Sequence, residues 1–131
     1  MKRVVLGLLL CVLGTYGHAE WVKVSDSSDG KVNYYVDPST IRKSGATVQA
    51  ITLTDYQEAQ VLSGTQRYLS AKMLDEFNCA ERTGQHLNLT VVAENLGAGK
   101  VVAVEMKPAG WRRIVANTAD EDMWSYICEK K

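Results

Sequence analysis

The order of apolar and polar side chains predicts a series of short strands along most of the chain. Lys31–Asp37 alternates strictly, with Val32, Tyr34 and Val36 on one side and polar or tyrosine side chains on the other. A period of two also runs through residues 65–79 and 85–94, and residues 21–24, 46–56 and 100–106 are further strand candidates. Turn-forming residues separate these segments. The pattern therefore predicts about six antiparallel strands.

Three segments between these strands give less regular signals. Within Ala46–Tyr56 the apolar side chains change parity after Ala50, which predicts either a bulge or a strand buried on both faces. Ile41–Lys43 is predicted to form one helical turn, and the polar segment Gln57–Gly64 is predicted to be a loop.

One helix is predicted at the end of the chain. Thr118 is a suitable N-cap, and Glu121 follows it with the spacing of a capping box. The apolar residues beyond it share one stripe of a helical wheel: Met123, Trp124, Ile127 and Cys128. A helix of this length is marginal alone, so its stripe must pack on the sheet. The fold class is α+β, with about six antiparallel strands and one C-terminal helix on one sheet face.

The first nineteen residues have the order of a secretory signal. Lys2 and Arg3 precede the apolar run Val4–Leu13, and small residues follow before Glu20. We expect cleavage there, which leaves residues 20–131 as one domain. Of the 15 basic residues in the chain, 13 then remain against 15 acidic ones, a net charge of −2. This balance argues against nucleic-acid binding, and no segment after the signal is apolar enough to span a membrane.

Two cysteines, Cys79 and Cys128, remain after removal of the signal. Cys79 lies on the apolar side of its strand, and Cys128 lies on the apolar stripe of the helix. A disulfide between them would tether the helix to the sheet in an oxidising compartment. The alternative is a pair of buried free thiols. A metal site lacks ligands, because one histidine, His86, and no short Cys-x-x-Cys spacing accompany them.

The domain lacks the usual signatures of catalysis. A Ser-His-Asp arrangement would have to use His86, which alternates with apolar neighbours and is interpreted as an exposed strand residue. Nucleophile-elbow, phosphate-loop and zinc-protease motifs are absent from the sequence. We therefore predict a binding domain that is not an enzyme and that uses no cofactor.

An aromatic side chain and three basic ones precede the helix. They form a candidate binding patch for an anionic partner, either a protein or a sulfated glycan: Lys107, Trp111, Arg112 and Arg113. The alternative interpretation is that Trp111 anchors the loop in the core while the arginines are solvated. An unpaired strand edge is a second candidate surface, because a partner segment can add a strand to it.

Several motifs together resemble a known family. The residues that carry this resemblance are Trp21–Val24, Tyr34–Arg42, Tyr68–Lys72, Glu76–Cys79, Gly97–Val102, Trp111, Trp124 and Cys128. They are similar to the surface-adhesin protein E-like domain of proteobacteria. The resemblance implies a six-stranded antiparallel sheet with a disulfide-tethered helix and no known catalytic residues. It also implies adhesin-like recognition of host or extracellular-matrix proteins. The alternative is a periplasmic structural or accessory protein that binds an envelope partner.

Overall fold

A computed structural model describes residues 20–129, and the predicted signal segment, residues 1–19, lies outside this range. Eight strands and one α-helix account for most of the domain. They are β1 Val22–Asp26, β2 Val32–Val36, β3 Arg42–Ser44, β4 Thr47–Ser63, β5 Gln66–Asn78, β6 Thr83–Val92, β7 Val101–Glu105, β8 Arg112–Arg113 and α1 Ala119–Glu129.

The eight strands occupy six positions in one antiparallel sheet. The order across the sheet is β1-β2-β4-β5-β6-β7. The short strand β3 pairs with the start of β4, on the same side of β4 as β2. In the same way, β8 pairs with the start of β6, on the same side of β6 as β7. The predicted α+β fold with about six antiparallel strands is therefore confirmed.

The predicted helical turn at Ile41–Lys43 is wrong. The turn is a single 3₁₀ turn at Pro38–Thr40, and β3 begins at Arg42. Proline at the first helical position has a suitable φ and no N–H that needs a partner. Asp37 caps this turn because its carboxylate accepts a hydrogen bond from the Ser39 N–H at 3.1 Å. These local contacts start the turn three residues earlier than the sequence pattern predicts.

The predicted loop at Gln57–Gly64 is also wrong, because β4 continues to Ser63. Its pairing with β5 passes from Asp55 opposite Ser70 to Gln60 opposite Tyr68, so four residues of β4 bulge out against one of β5. Most side chains here are exposed, which removes the alternation on which a strand prediction depends. Before this bulge the register is unbroken, so the parity change after Ala50 reflects burial on both faces.

The helix packs against one end of one sheet face. Its Thr118 cap forms as predicted, since the hydroxyl accepts from the Glu121 N–H at 3.3 Å, although the Glu121 carboxylate accepts from the Asn117 N–H instead of that of Thr118. Buried Met123, Ile127 and Cys128 form one core with five residues from the rest of the chain: Val36, Val48, Ala50, Phe77 and Ile114.

The disulfide between Cys79 and Cys128 is confirmed. It joins the residue directly after β5 to the last turn of α1, with a Cα–Cα distance of 5.8 Å that is ordinary for such a bond. The bond holds the C-terminal end of the helix over the Phe77 end of the sheet. The other end of the same face is left uncovered by the helix.

Candidate functional site

The four residues of the predicted basic patch do not lie on one surface. Arg112 pairs with Gly84 on β6, and its side chain turns toward the helix. There its guanidinium donates to both carboxylate oxygens of Asp120, at 2.7 and 2.5 Å, and lies 6.0 Å from the centre of the Phe77 ring. Burial lowers the pKa of Arg112, but the hydrogen bonds and charge of Asp120 outweigh it and leave the pKa raised. Arg112 therefore joins the helix to the sheet.

The other three patch residues lie together along the outer edge of β6. The chain from Val101 to Arg113 runs antiparallel to β6, first as β7, then through a hydrogen bond from the Ala109 N–H to the His86 carbonyl at 2.9 Å, and finally as β8. Lys107, Trp111 and Arg113 are all exposed on this segment. Trp111 is 50% exposed, so the alternative in which it anchors the loop in the core is wrong.

Exposed apolar side chains share this edge with them. Val104 is 55% exposed and Met106 is 69% exposed, and Val101 is exposed to a similar degree. Val101 and Val104 pair with Val92 and Thr90, which places them on the face opposite the helix. We call this set the β7 edge surface: Val101, Val104, Met106, Lys107, Trp111 and Arg113. The sequence pattern predicted the strand, but alternation alone does not distinguish an edge strand from a central one.

The two edges of the sheet differ in how they are protected. At the β1 edge, Lys23 and Asp26 form an ion pair at 3.0 Å, and α1 lies alongside, with the Ser25 hydroxyl donating to Asp122 at 2.6 Å. Charged side chains and covering elements are the usual protection of an edge strand. Within residues 20–129, β7 pairs with β6 alone, and four consecutive apolar residues precede its single charged one, Glu105. The β7 edge is therefore open to pairing with another strand.

A groove of about 560 Å³ lies on the part of the helix face that α1 leaves uncovered. The groove has a polar end beside the helix, formed by Asp75, His86, Arg112 and Asp120. It has an aromatic end toward the β4–β5 hairpin, formed by Tyr34, Tyr56 and Tyr68. The floor between the two ends is mostly apolar: Thr52, Thr54, Ala71, Met73, Leu89 and Val91.

His86 contacts Asp75 but does not complete a catalytic triad. The imidazole Nδ1 lies against one carboxylate oxygen of Asp75, while the Thr52 hydroxyl donates to the other at 2.8 Å. A triad needs its nucleophilic hydroxyl on the far imidazole nitrogen, whereas Thr52 is bonded to the carboxylate. The His86 side chain lies in β6 as predicted, but it is half-buried in the groove on the helix face and not freely exposed. Among residues 20–129, no cluster of three or more His, Cys, Asp or Glu side chains is arranged to hold a metal ion.

The aromatic end of the groove was not predicted as a site. Tyr56 and Tyr68 meet edge to face, with ring centres 5.7 Å apart. Burial raises the pKa of Tyr56, and the neighbouring hydroxyls of Tyr68 and Tyr34 add to this shift. The alternation of β2 places Tyr34 on the same face as Val36. The Tyr56–Tyr68 contact, however, depends on the bulge in β4, which the sequence pattern does not reveal.

A comparison with protein-family models matches residues 21–129 to the surface-adhesin protein E family. This chain belongs to that family. Membership makes it a relative of surface adhesins and indicates an exported protein that acts through a protein partner. None of the helices in the described part of the chain is long and apolar enough to cross a membrane.

Solved structures share the fold at low sequence identity. Crystal form II of Haemophilus influenzae protein E superimposes with a TM-score of 0.67 at 14% identity, covering 86% of this chain and 90% of that one. A second structure of the protein gives 0.66 at 14%, covering 86% of each chain. Protein E from non-typeable Haemophilus influenzae gives 0.64 at 16%, covering 88% of this chain and 79% of that one. A comparison with curated protein sequences finds no match.

Proposed function

We propose that this domain is a non-catalytic, adhesin-like binding module that recognises a host or extracellular-matrix protein through the β7 edge surface. The single observation that carries the proposal is the contrast between the two edges of the sheet. Both edge strands have a single neighbour, but the β1 edge has an ion pair and a side-chain hydrogen bond to α1, whereas β7 has four consecutive apolar residues. Family membership supports the adhesin class.

The chemistry of the β7 edge surface suits an extended protein segment. An added strand would bond to the free backbone groups of β7, while its alternate side chains would pack on Val104 and Met106. Trp111 offers a large and rigid contact of the kind that dominates protein interfaces. Lys107 and Arg113 would favour a partner segment with acidic residues, because unlike charges speed association and fix the register.

We also propose that the domain acts outside the cell and not within the periplasm. The motivation is the surface-adhesin family, while the N-terminal segment supports export to either compartment. Protease accessibility on intact cells tests this location. If the protein were found in the periplasm and neither at the surface nor in the medium, it would not meet host proteins, and an envelope protein would be the partner instead.

The binding proposal predicts a specific pair of variants. Val104→Lys places a charge within the β7 edge surface and is expected to weaken binding by about tenfold or more, the effect of losing a central interface contact. Val61→Lys is the matched control, since Val61 is 57% exposed but lies in the β4–β5 hairpin. Binding of the purified protein to immobilised basement-membrane extract is measured by surface plasmon resonance. Equal losses in both variants, or none with Val104→Lys, would contradict the proposal.

A further inference from the structure

The groove on the helix face is a second site, separate from the β7 edge surface. Its volume of about 560 Å³ lies within the range of roughly 300–1,000 Å³ that is usual for small-ligand sites. It follows β5 from Asp75 to Tyr68, a distance of about 23 Å at roughly 3.3 Å per strand residue. The site is therefore elongated along the strands, and its lining residues come from four of them, β2, β4, β5 and β6, with a polar end, an apolar floor and an aromatic end.

The charged groups in the groove are already paired within the protein. Both carboxylate oxygens of Asp120 accept from Arg112, and the two oxygens of Asp75 are taken by the Thr52 hydroxyl and the His86 ring. Each of these carboxylate oxygens already contacts a hydrogen-bonding group of the protein, and the guanidinium is paired with Asp120, so a charged ligand would have to compete for partners that are in use. A charged ligand would lose hydration without gaining an unpaired partner, which costs free energy.

Neutral hydrogen-bonding groups are what the groove offers to a ligand. The hydroxyls of Tyr34, Tyr56 and Tyr68 can each donate and accept, and the second nitrogen of His86 adds a further position. The tyrosine rings and the apolar floor supply flat surfaces for a ligand with an apolar face.

We propose that this groove binds a neutral saccharide of at least two sugar rings. Sugar hydroxyls both donate and accept hydrogen bonds, so they match the tyrosine hydroxyls and the imidazole. The C–H faces of sugar rings match the aromatic rings and the apolar floor. An unbranched chain of two or more rings also fits the elongated shape better than a compact metabolite does.

Chemical-shift titration of the isotope-labelled, purified protein tests the proposal. The probes are neutral disaccharides and trisaccharides (maltose, cellobiose, lactose, chitobiose and maltotriose), with sialyllactose, a heparin disaccharide and a neutral tetrapeptide as comparison ligands. We expect a neutral saccharide to shift amide signals of the groove floor, such as those of Thr54 and Met73. If none of the neutral probes shifts these signals at tens of millimolar, or if a charged sugar or the peptide binds there more tightly, the proposal is overturned.

A pair of tyrosine variants distinguishes the groove from the rest of the surface. Tyr34→Phe removes one hydroxyl from the groove and is expected to raise the saccharide dissociation constant about 2- to 10-fold, the range for one neutral hydrogen bond. Tyr35→Phe makes the same chemical change on the opposite face of β2, and a change of less than twofold is expected. Equal effects would place the saccharide elsewhere. Val104→Lys is expected to leave saccharide binding unchanged, so this site and the protein-binding surface can fail independently.

Discussion

Breaking the Cys79–Cys128 bond is expected to remove a large part of the domain's stability. The two residues are 49 positions apart in the sequence, so the bond closes a loop of about 50 residues. Restricting such a loop in the unfolded chain contributes about 4 kcal/mol at 25 °C. Because domains of this kind have a total stability of about 5–15 kcal/mol, the reduced protein should be markedly easier to unfold.

Urea unfolding measures this loss directly. With a denaturant dependence of about 2 kcal/mol per molar urea, a loss of about 4 kcal/mol lowers the unfolding midpoint by about 2 M. Reduced wild-type protein keeps both sulfur atoms, so it isolates the effect of the bond. The Cys79→Ala/Cys128→Ala variant additionally loses the packing of the buried Cys128 side chain, and it should be slightly less stable than reduced wild type.

Hydrogen exchange locates the same effect within the fold. The eleven-residue helix is too short to persist without the sheet, so its amides should lose protection before those of β4 and β5 once the bond is reduced. A reduced protein whose free energy of unfolding lies within about 1 kcal/mol of the oxidised one would refute the chain-entropy reasoning. Full retention of helix protection after reduction would refute the tethering role.

Two further variants probe the packing of the helix and the sheet. Gly84→Ala is expected to destabilise the domain by about 1–3 kcal/mol, the usual cost of overpacking, because the new Cβ would lie 2.8 Å from the fully buried Phe77 ring; a urea midpoint equal to wild type would show that the ring can move. The pKa of Glu121 is lowered from its ordinary 4.5 by hydrogen bonds from the Asn117 N–H and from Arg82. The unfolded chain therefore binds this proton more readily, so the contribution of Glu121 is complete above pH 4.5 and is lost as the pH falls toward the lowered value. Urea midpoints at a series of pH values should fall less steeply in this window for Glu121→Gln, and parallel curves would contradict the assignment.

The sequence determined the elements that depend on local periodicity. Strict alternation in β2, the period of two in most of β5 and the helical stripe of α1 were sufficient to predict the fold class, because side chains at a period of two or 3.6 residues can bury one face only in those conformations. The same two periods place Cys79 and Cys128 on facing surfaces, so the disulfide could be predicted from the sequence, although a pair of buried free thiols fitted the same pattern. The periodic pattern did not predict the outer half of β4 as a strand. Most side chains there are exposed, so burial imposes no alternation of apolar and polar residues.

Which surfaces are open depends on how the strands and the helix are arranged in three dimensions. The position of β7 at an unprotected edge follows from the strand order, which depends on pairings between residues far apart in the chain. Arg112 left the predicted basic patch because the β8–β6 register turns it toward Asp120 on the helix. The groove exists because α1, held at one end by the disulfide, is too short to cover the whole sheet face. These features depend on which distant strands pair and on how much of the sheet face the helix covers. A periodic pattern of apolar residues carries no information about either.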